Sequence, residues 1–120
     1  MTETASEPEP VRFREVTERF GLLRLVTEVD ATGVGVRLAP IQRSPRRIPA
    51  DEIRDVRATT YDAATYAGWH WGVRRTPGAV VYRLCGDRGI EVVTDGRRWF
   101  VGSQRPAELA SAVERVASIG

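Results

Sequence analysis

The dipeptide Asp95-Gly96 constrains this chain's fold more than any other feature, because it separates two runs of alternating apolar residues, GIEVVT (89–94) and RRWFVG (97–102). Glycine adopts the positive φ that a tight primed turn demands, so the pair marks a β-hairpin. Closing the hairpin there sets Val92 opposite Trp99, Ile90 opposite Val101 and Glu91 opposite Phe100. Slipping the pairing by one residue would turn every apolar side chain to the other face, so the register is strongly specified. Ile90, Val92, Trp99 and Val101 then share one inner face.

The same texture of β-branched and aromatic runs, punctuated by DATG (30–33), TPG (76–78) and GDRG (86–89), places strands at 11–19, 21–29, 33–39, 53–60, 68–75, 79–85, 89–94 and 97–102. A three-residue GDR connection sets Leu84 against Ile90 and Tyr82 against Val92, with Arg83 beside Glu91 as an opposite-charge pair. A four-residue RTPG connection sets Trp71 opposite Tyr82, Trp69 opposite Leu84 and Val73 opposite Val80. The two tryptophans of YAGWHWGVRR (66–75) thereby join the inner face, where each buries roughly 150 to 250 Å². They read as core rather than as a stacking site. The outward row is His70, Arg83, Glu91 and Phe100, and Phe100 is either covered by the N-terminal strand or an exposed anchor for a partner.

At SQRPAELASAVERVASIG (103–120) the period changes to that of a helix, with Leu109, Val113, Val116 and Ile119 on one stripe. Pro106 suits the first turn and Glu108 sits where the helix dipole favours an acid, so a helix is expected over about 105–118. Residues 1–10 hold three acids and two prolines, too little apolar surface to offset ordering, and read as a disordered acidic arm before a single domain over 11–120. PIQRSPRRIP (40–49), with three prolines, is the one long loop.

Composition excludes several chemistries. A lone cysteine, Cys85, and a lone histidine, His70, cannot assemble a three- or four-ligand metal site, and nothing brings His70 to a serine or thiol nucleophile. No catalytic residue and no cofactor are expected, so the protein is not an enzyme on this reading. No stretch reaches the ~18 apolar residues of a membrane span, and the single cysteine suits a reducing, cytoplasmic compartment. All 18 basic residues are arginine, which reflects GC-rich coding before it reflects selection for phosphate binding.

The blocks IPADEI (48–53), YAGWHWGVRR, GDRGIEVV (86–93) and DGRRWFVGSQRPAELASAV (95–113) resemble the bacterial pleckstrin-homology-like domains, in which a Gly-Trp-Gly-aliphatic-Arg strand precedes a Gly-rich hairpin, a strand ending in Gly-Ser/Thr-Gln-Arg-Pro and a C-terminal helix. The resemblance covers roughly residues 48–116. His70 and Trp71 depart from it, standing where glycine and an aliphatic residue are expected. It implies a mainly β (α+β) fold: a strongly bent antiparallel sheet, or a pleckstrin-like barrel or sandwich, of about seven strands capped by the C-terminal helix. It also implies a domain that binds rather than reacts.

The expected function is a non-catalytic module for a protein partner or for self-association. Its candidate surfaces are the loop arginines Arg43, Arg46 and Arg47, together with His70 and Phe100. The alternative partner is an anionic lipid headgroup gripped by the three arginines at the inner membrane face. A nucleic-acid partner is the second alternative, weakened because the register turns most aromatics inward.

Overall fold

The computed structural model describes residues 12–19, 21–61, 72–75, 78–84 and 86–117. The acidic arm, His70, Trp69, Trp71, Cys85 and Ile119 lie outside the described residues. The chain is mainly β with one C-terminal helix. In order, the elements are β1 (Phe13–Arg19), β2 (Leu23–Asp30), β3 (Gly33–Ala39), β4 (Arg46–Pro49), a single 3-10 turn (Ala50–Glu52), β5 (Ile53–Thr60), β6 (Gly72–Arg75), β7 (Ala79–Arg83), β8 (Arg88–Thr94), β9 (Arg97–Gly102) and α1 (Pro106–Ala117). They form a four-stranded sheet, β1-β2-β3-β4, and a five-stranded sheet, β5-β8-β9-β7-β6.

Alternation in the sequence sets which faces meet. Leu25, Val29, Val34, Val36, Leu38 and Ile48 of the first sheet share one core with Val56, Val80, Tyr82, Ile90, Val92, Trp99 and Val101 of the second. Leu109, Ala112 and Val113 of α1 complete that core, and Val116 packs at its margin, as the helical stripe predicts. The β8–β9 hairpin has the expected register, with Val92 facing Trp99, Glu91 facing Phe100 and Ile90 facing Val101. Gly96 supplies the turn with φ of 74°.

Strand pairing in the five-stranded sheet differs from expectation. β7 does not pair with β8; it lies parallel to β9, with Val80 beside Trp99 and Tyr82 beside Val101. The far edge of β8 is taken instead by β5, which pairs with it from Ile53 to Thr60, so β7 is displaced to the free edge of β9. Glu91 accordingly takes Arg57 (3.1 Å) and Arg98 (3.3 Å) as partners in place of Arg83. The β6–β7 register is shifted by two residues, Val73 facing Tyr82 rather than Val80. A shift of two keeps every side chain on its face, which is why the inner set survives the wrong pairing.

The proline-rich segment 40–49 is not loop throughout. Its last four residues, Arg46–Pro49, form β4 against β3, with Ile48 facing Val34 and Arg46 facing Val36. Pro49 ends the strand at a sheet edge, where a missing N–H costs no ladder bond.

Candidate functional site

The loop arginines do not converge. Ile48 is buried in the core, so Arg46, two residues earlier on β4, shares its face, and Arg47 points to the opposite one. The Arg47 guanidinium donates from Nη2 to Asp30 Oδ1 (3.1 Å) and to Thr32 Oγ1 (2.5 Å). It lies over Gly35, where an added Cβ would come within 3.0 Å of Nη1. The same Asp30 oxygen accepts from the backbone N–H (2.9 Å) and hydroxyl (2.6 Å) of Thr32, the local bonding by which aspartate initiates a turn. Arg47 therefore clips β4 to the β2–β3 turn.

Burial alone would raise the Asp30 carboxyl, but the hydrogen bonds from Thr32, then the charge and hydrogen bond of Arg47, outweigh it and hold the group below its ordinary value. A carboxyl depressed in the folded state stabilises above its unfolded value, and that contribution disappears as pH falls through the folded one. Asp30→Asn is expected to lower the denaturation midpoint at about pH 7 and to match the wild type near pH 2. Equal stability of the two chains at neutral pH would refute the clip.

Phe100 is not an exposed anchor. It is 1 % exposed, packed with Val81 in a small second cluster and met edge-on by Tyr61 at 5.1 Å between ring centroids. The cover is not the N-terminal strand, since β1 belongs to the other sheet. Tyr61, the first residue after β5, contributes to it, with the Arg83 guanidinium 4.3 Å above the tyrosine ring.

A different surface emerges at one end of the four-stranded sheet. Arg24 at the start of β2 faces Ala39 at the end of β3, so the β1–β2 and β3–β4 turns lie at the same end. Each carries a protruding aliphatic residue: Leu22 is 66 % exposed and Ile41 70 %. The second turn is tied by Gln42, whose N–H donates to the Leu38 carbonyl (2.8 Å) while its Oε1 accepts from the Leu38 N–H (3.0 Å). Arg24 and Arg43 stand exposed beside these tips and, among the described residues, neither has an ion pair. No acid occurs between Arg19 and Thr27, nor between Val34 and Ala50, although Glu18 lies opposite Arg24 on β1. Alternation alone could not find this site, because three of its four residues, Leu22, Ile41 and Arg43, lie outside the strands.

The segment GSQRP has a structural use. Glu15, on the buried face of β1, accepts from Ser103 Oγ (2.6 Å) and from the Gln104 N–H (2.9 Å), while Ser103 Oγ accepts from the Arg105 N–H (2.9 Å). Arg105 Nη2 donates to the Arg14 carbonyl (2.9 Å) on the outer edge of β1, and the guanidinium stacks over Phe13 at 4.7 Å. The sequence signal was there: Glu15 is in phase with Phe13 and Thr17, both buried.

Among the described residues, no group of three His, Cys, Asp or Glu side chains is placed to hold a metal ion, and no helix is long and apolar enough to cross a membrane. Compared with known proteins, the chain matches no protein-family model, no curated protein and no solved structure.

Proposed function

We propose that this domain is a non-catalytic binding module that docks peripherally on anionic membrane surfaces through the end of the four-stranded sheet bearing Leu22 and Ile41. The observation that carries the reading is the pairing of Leu22 and Ile41, the two most exposed aliphatic side chains among the described residues, with Arg24 and Arg43, neither of which has an ion pair among those residues. Aliphatic tips that enter the headgroup region, ringed by cations that meet anionic lipid, are the two components of interfacial binding. Burying two such side chains at about 1.5 kcal/mol each, with about 1 kcal/mol per arginine, totals about 5 kcal/mol, a reversible attachment near 0.2 mM. The pleckstrin-homology-like resemblance of residues 48–116 accords with a domain that binds.

Two features favour a bilayer over a second copy of the chain. Two side chains on separate turns offer far less than the ~800 Å² per partner that a stable protein interface buries, whereas a bilayer requires no shape complementarity. The β1 edge, the longest open strand of its sheet, is blunted by the Arg105 guanidinium on its Arg14 carbonyl and by the exposed charges of Arg14 and Glu18.

Co-sedimentation with vesicles of phosphatidylglycerol and phosphatidylcholine tests the proposal. Binding is expected at low salt and weakens as salt screens it. The double substitution Leu22→Asp, Ile41→Asp is expected to abolish it, and Arg43→Glu to weaken it by roughly tenfold. Absence of binding at low salt defeats the reading. Should the double substitution instead shrink the particle mass seen by light scattering, the surface is a self-association site.

A further inference from the structure

We infer that Ser44 is a phosphorylation site whose modification releases the domain from the membrane; this inference rests on the docking reading above. Ser44 is exposed in the β3–β4 turn, between the Ile41 tip and β4, and its hydroxyl makes no hydrogen bond among the described residues. Its neighbours also make it a substrate: the local sequence is Arg43-Ser44-Pro45-Arg46-Arg47, with no acid from Val34 to Ala50. Pro45 biases Ser44 away from helical backbone angles, towards the open conformation in which a peptide enters a kinase groove. Arginines on both sides suit a groove lined by carboxylates.

In the transfer, Ser44 Oγ attacks the γ-phosphorus of a nucleoside triphosphate. The bond from that phosphorus to the β–γ bridging oxygen breaks, the nucleoside diphosphate leaves, and the hydroxyl proton passes to the kinase's carboxylate base. The product carries about −1.5 to −2 charge beside Arg43 and three residues from Ile41. A dianion there offsets the local arginine charge, is repelled by anionic lipid and sets a strongly hydrated group beside the residue that must enter the headgroup layer. The docking end would thus be an electrostatic switch, with a loss of affinity of about tenfold or more.

The test uses the full chain, an arginine-directed serine kinase with magnesium and ATP, and the same vesicles. Intact-mass analysis with peptide mapping is expected to show one phosphoryl group, on Ser44, and none in Ser44→Ala. Ser44→Ala is expected to pellet like the unmodified wild type, while the phosphorylated chain stays in the supernatant and Ser44→Glu falls between. If the unmodified wild type does not pellet, the docking reading fails and the switch with it. If it pellets but takes no phosphoryl group at Ser44, or takes one and pellets undiminished, docking stands and the switch alone is overturned.

Discussion

Glu15→Ala will lower the unfolding free energy by about 3 kcal/mol, among the largest effects of any single side chain on β1. Glu15 is 9 % exposed and its carboxylate accepts two hydrogen bonds, from Ser103 Oγ at 2.6 Å and the Gln104 N–H at 2.9 Å. Bonds to a charged acceptor contribute about 1.5 to 3 kcal/mol each, and their removal strands the donors away from water. The position matters as much as the count. Gln104 precedes Arg105, whose carbonyl receives the first α1 bond from the Leu109 N–H (3.0 Å), so Glu15 places negative charge at the amino end of the helix. One carboxylate thus joins the first strand, the end of β9 and the start of α1.

Urea denaturation of wild type, Glu15→Ala, Ser103→Ala and the double variant measures this directly. The two sites touch, so their effects should fall short of additive by roughly 1 kcal/mol or more. Glu15→Gln is expected to cost about half as much as alanine, since an amide keeps one acceptor for the Gln104 N–H but turns a donor towards Ser103 Oγ in place of the acceptor its hydroxyl uses. Strict additivity, or an alanine variant as stable as wild type, would show that β1 is held by its ladder alone.

The elements legible in the sequence are those where local chemistry leaves one answer. Asp95-Gly96 fixes the β8–β9 register to the residue because a tight turn and one buried face act on the same pair of strands. Leu109 and Val113 are legible because the helical period is unbroken. Neighbour order in the five-stranded sheet is a different kind of fact. Val80 and Tyr82 face inward whether β7 lies beside β8 or beside β9, so alternation cannot choose between them. The choice is made by β5, a strand some thirty residues away whose claim on β8 leaves no local trace. The same blindness hid β4: a loop composition of three prolines outweighed four residues that the β3 edge recruits. For the candidate site, the arginines were legible as residues but not as partners. Arg47 is committed to Asp30 and Thr32, Arg46 and Arg47 lie on opposite faces, and only Arg43 stays with the exposed tips. Phe100 lies on the outer row that alternation predicts, apart from the main core; that this row is itself covered at Tyr61 is a tertiary fact.

Gly89→Ala is the second large effect, expected to destabilise by about 3 kcal/mol, the upper part of the usual range for overpacking. GDRG holds two glycines with different duties. Gly86 has φ of 74° and, with nothing within 4 Å of an added Cβ, is there for its backbone angle. Gly89 is on β8 and buried, and is there for space: a Cβ would collide with the Val101 carbonyl oxygen and come within 2.8 Å of Phe100 Cζ and 2.9 Å of the Gly102 Cα. A ring can swing aside, but the other two are backbone atoms of β9, the strand that holds Trp99 and Val101 in the core and leads through Ser103 into α1. The double variant Gly89→Ala, Phe100→Ala separates these causes. If the ring were the obstacle, removing it would restore much of the loss; with backbone as the obstacle, the double variant must be less stable than either single one. A chemical denaturation series on the four chains decides this, and full rescue by Phe100→Ala would mean that β8 and β9 approach each other less closely than the Gly89 geometry requires.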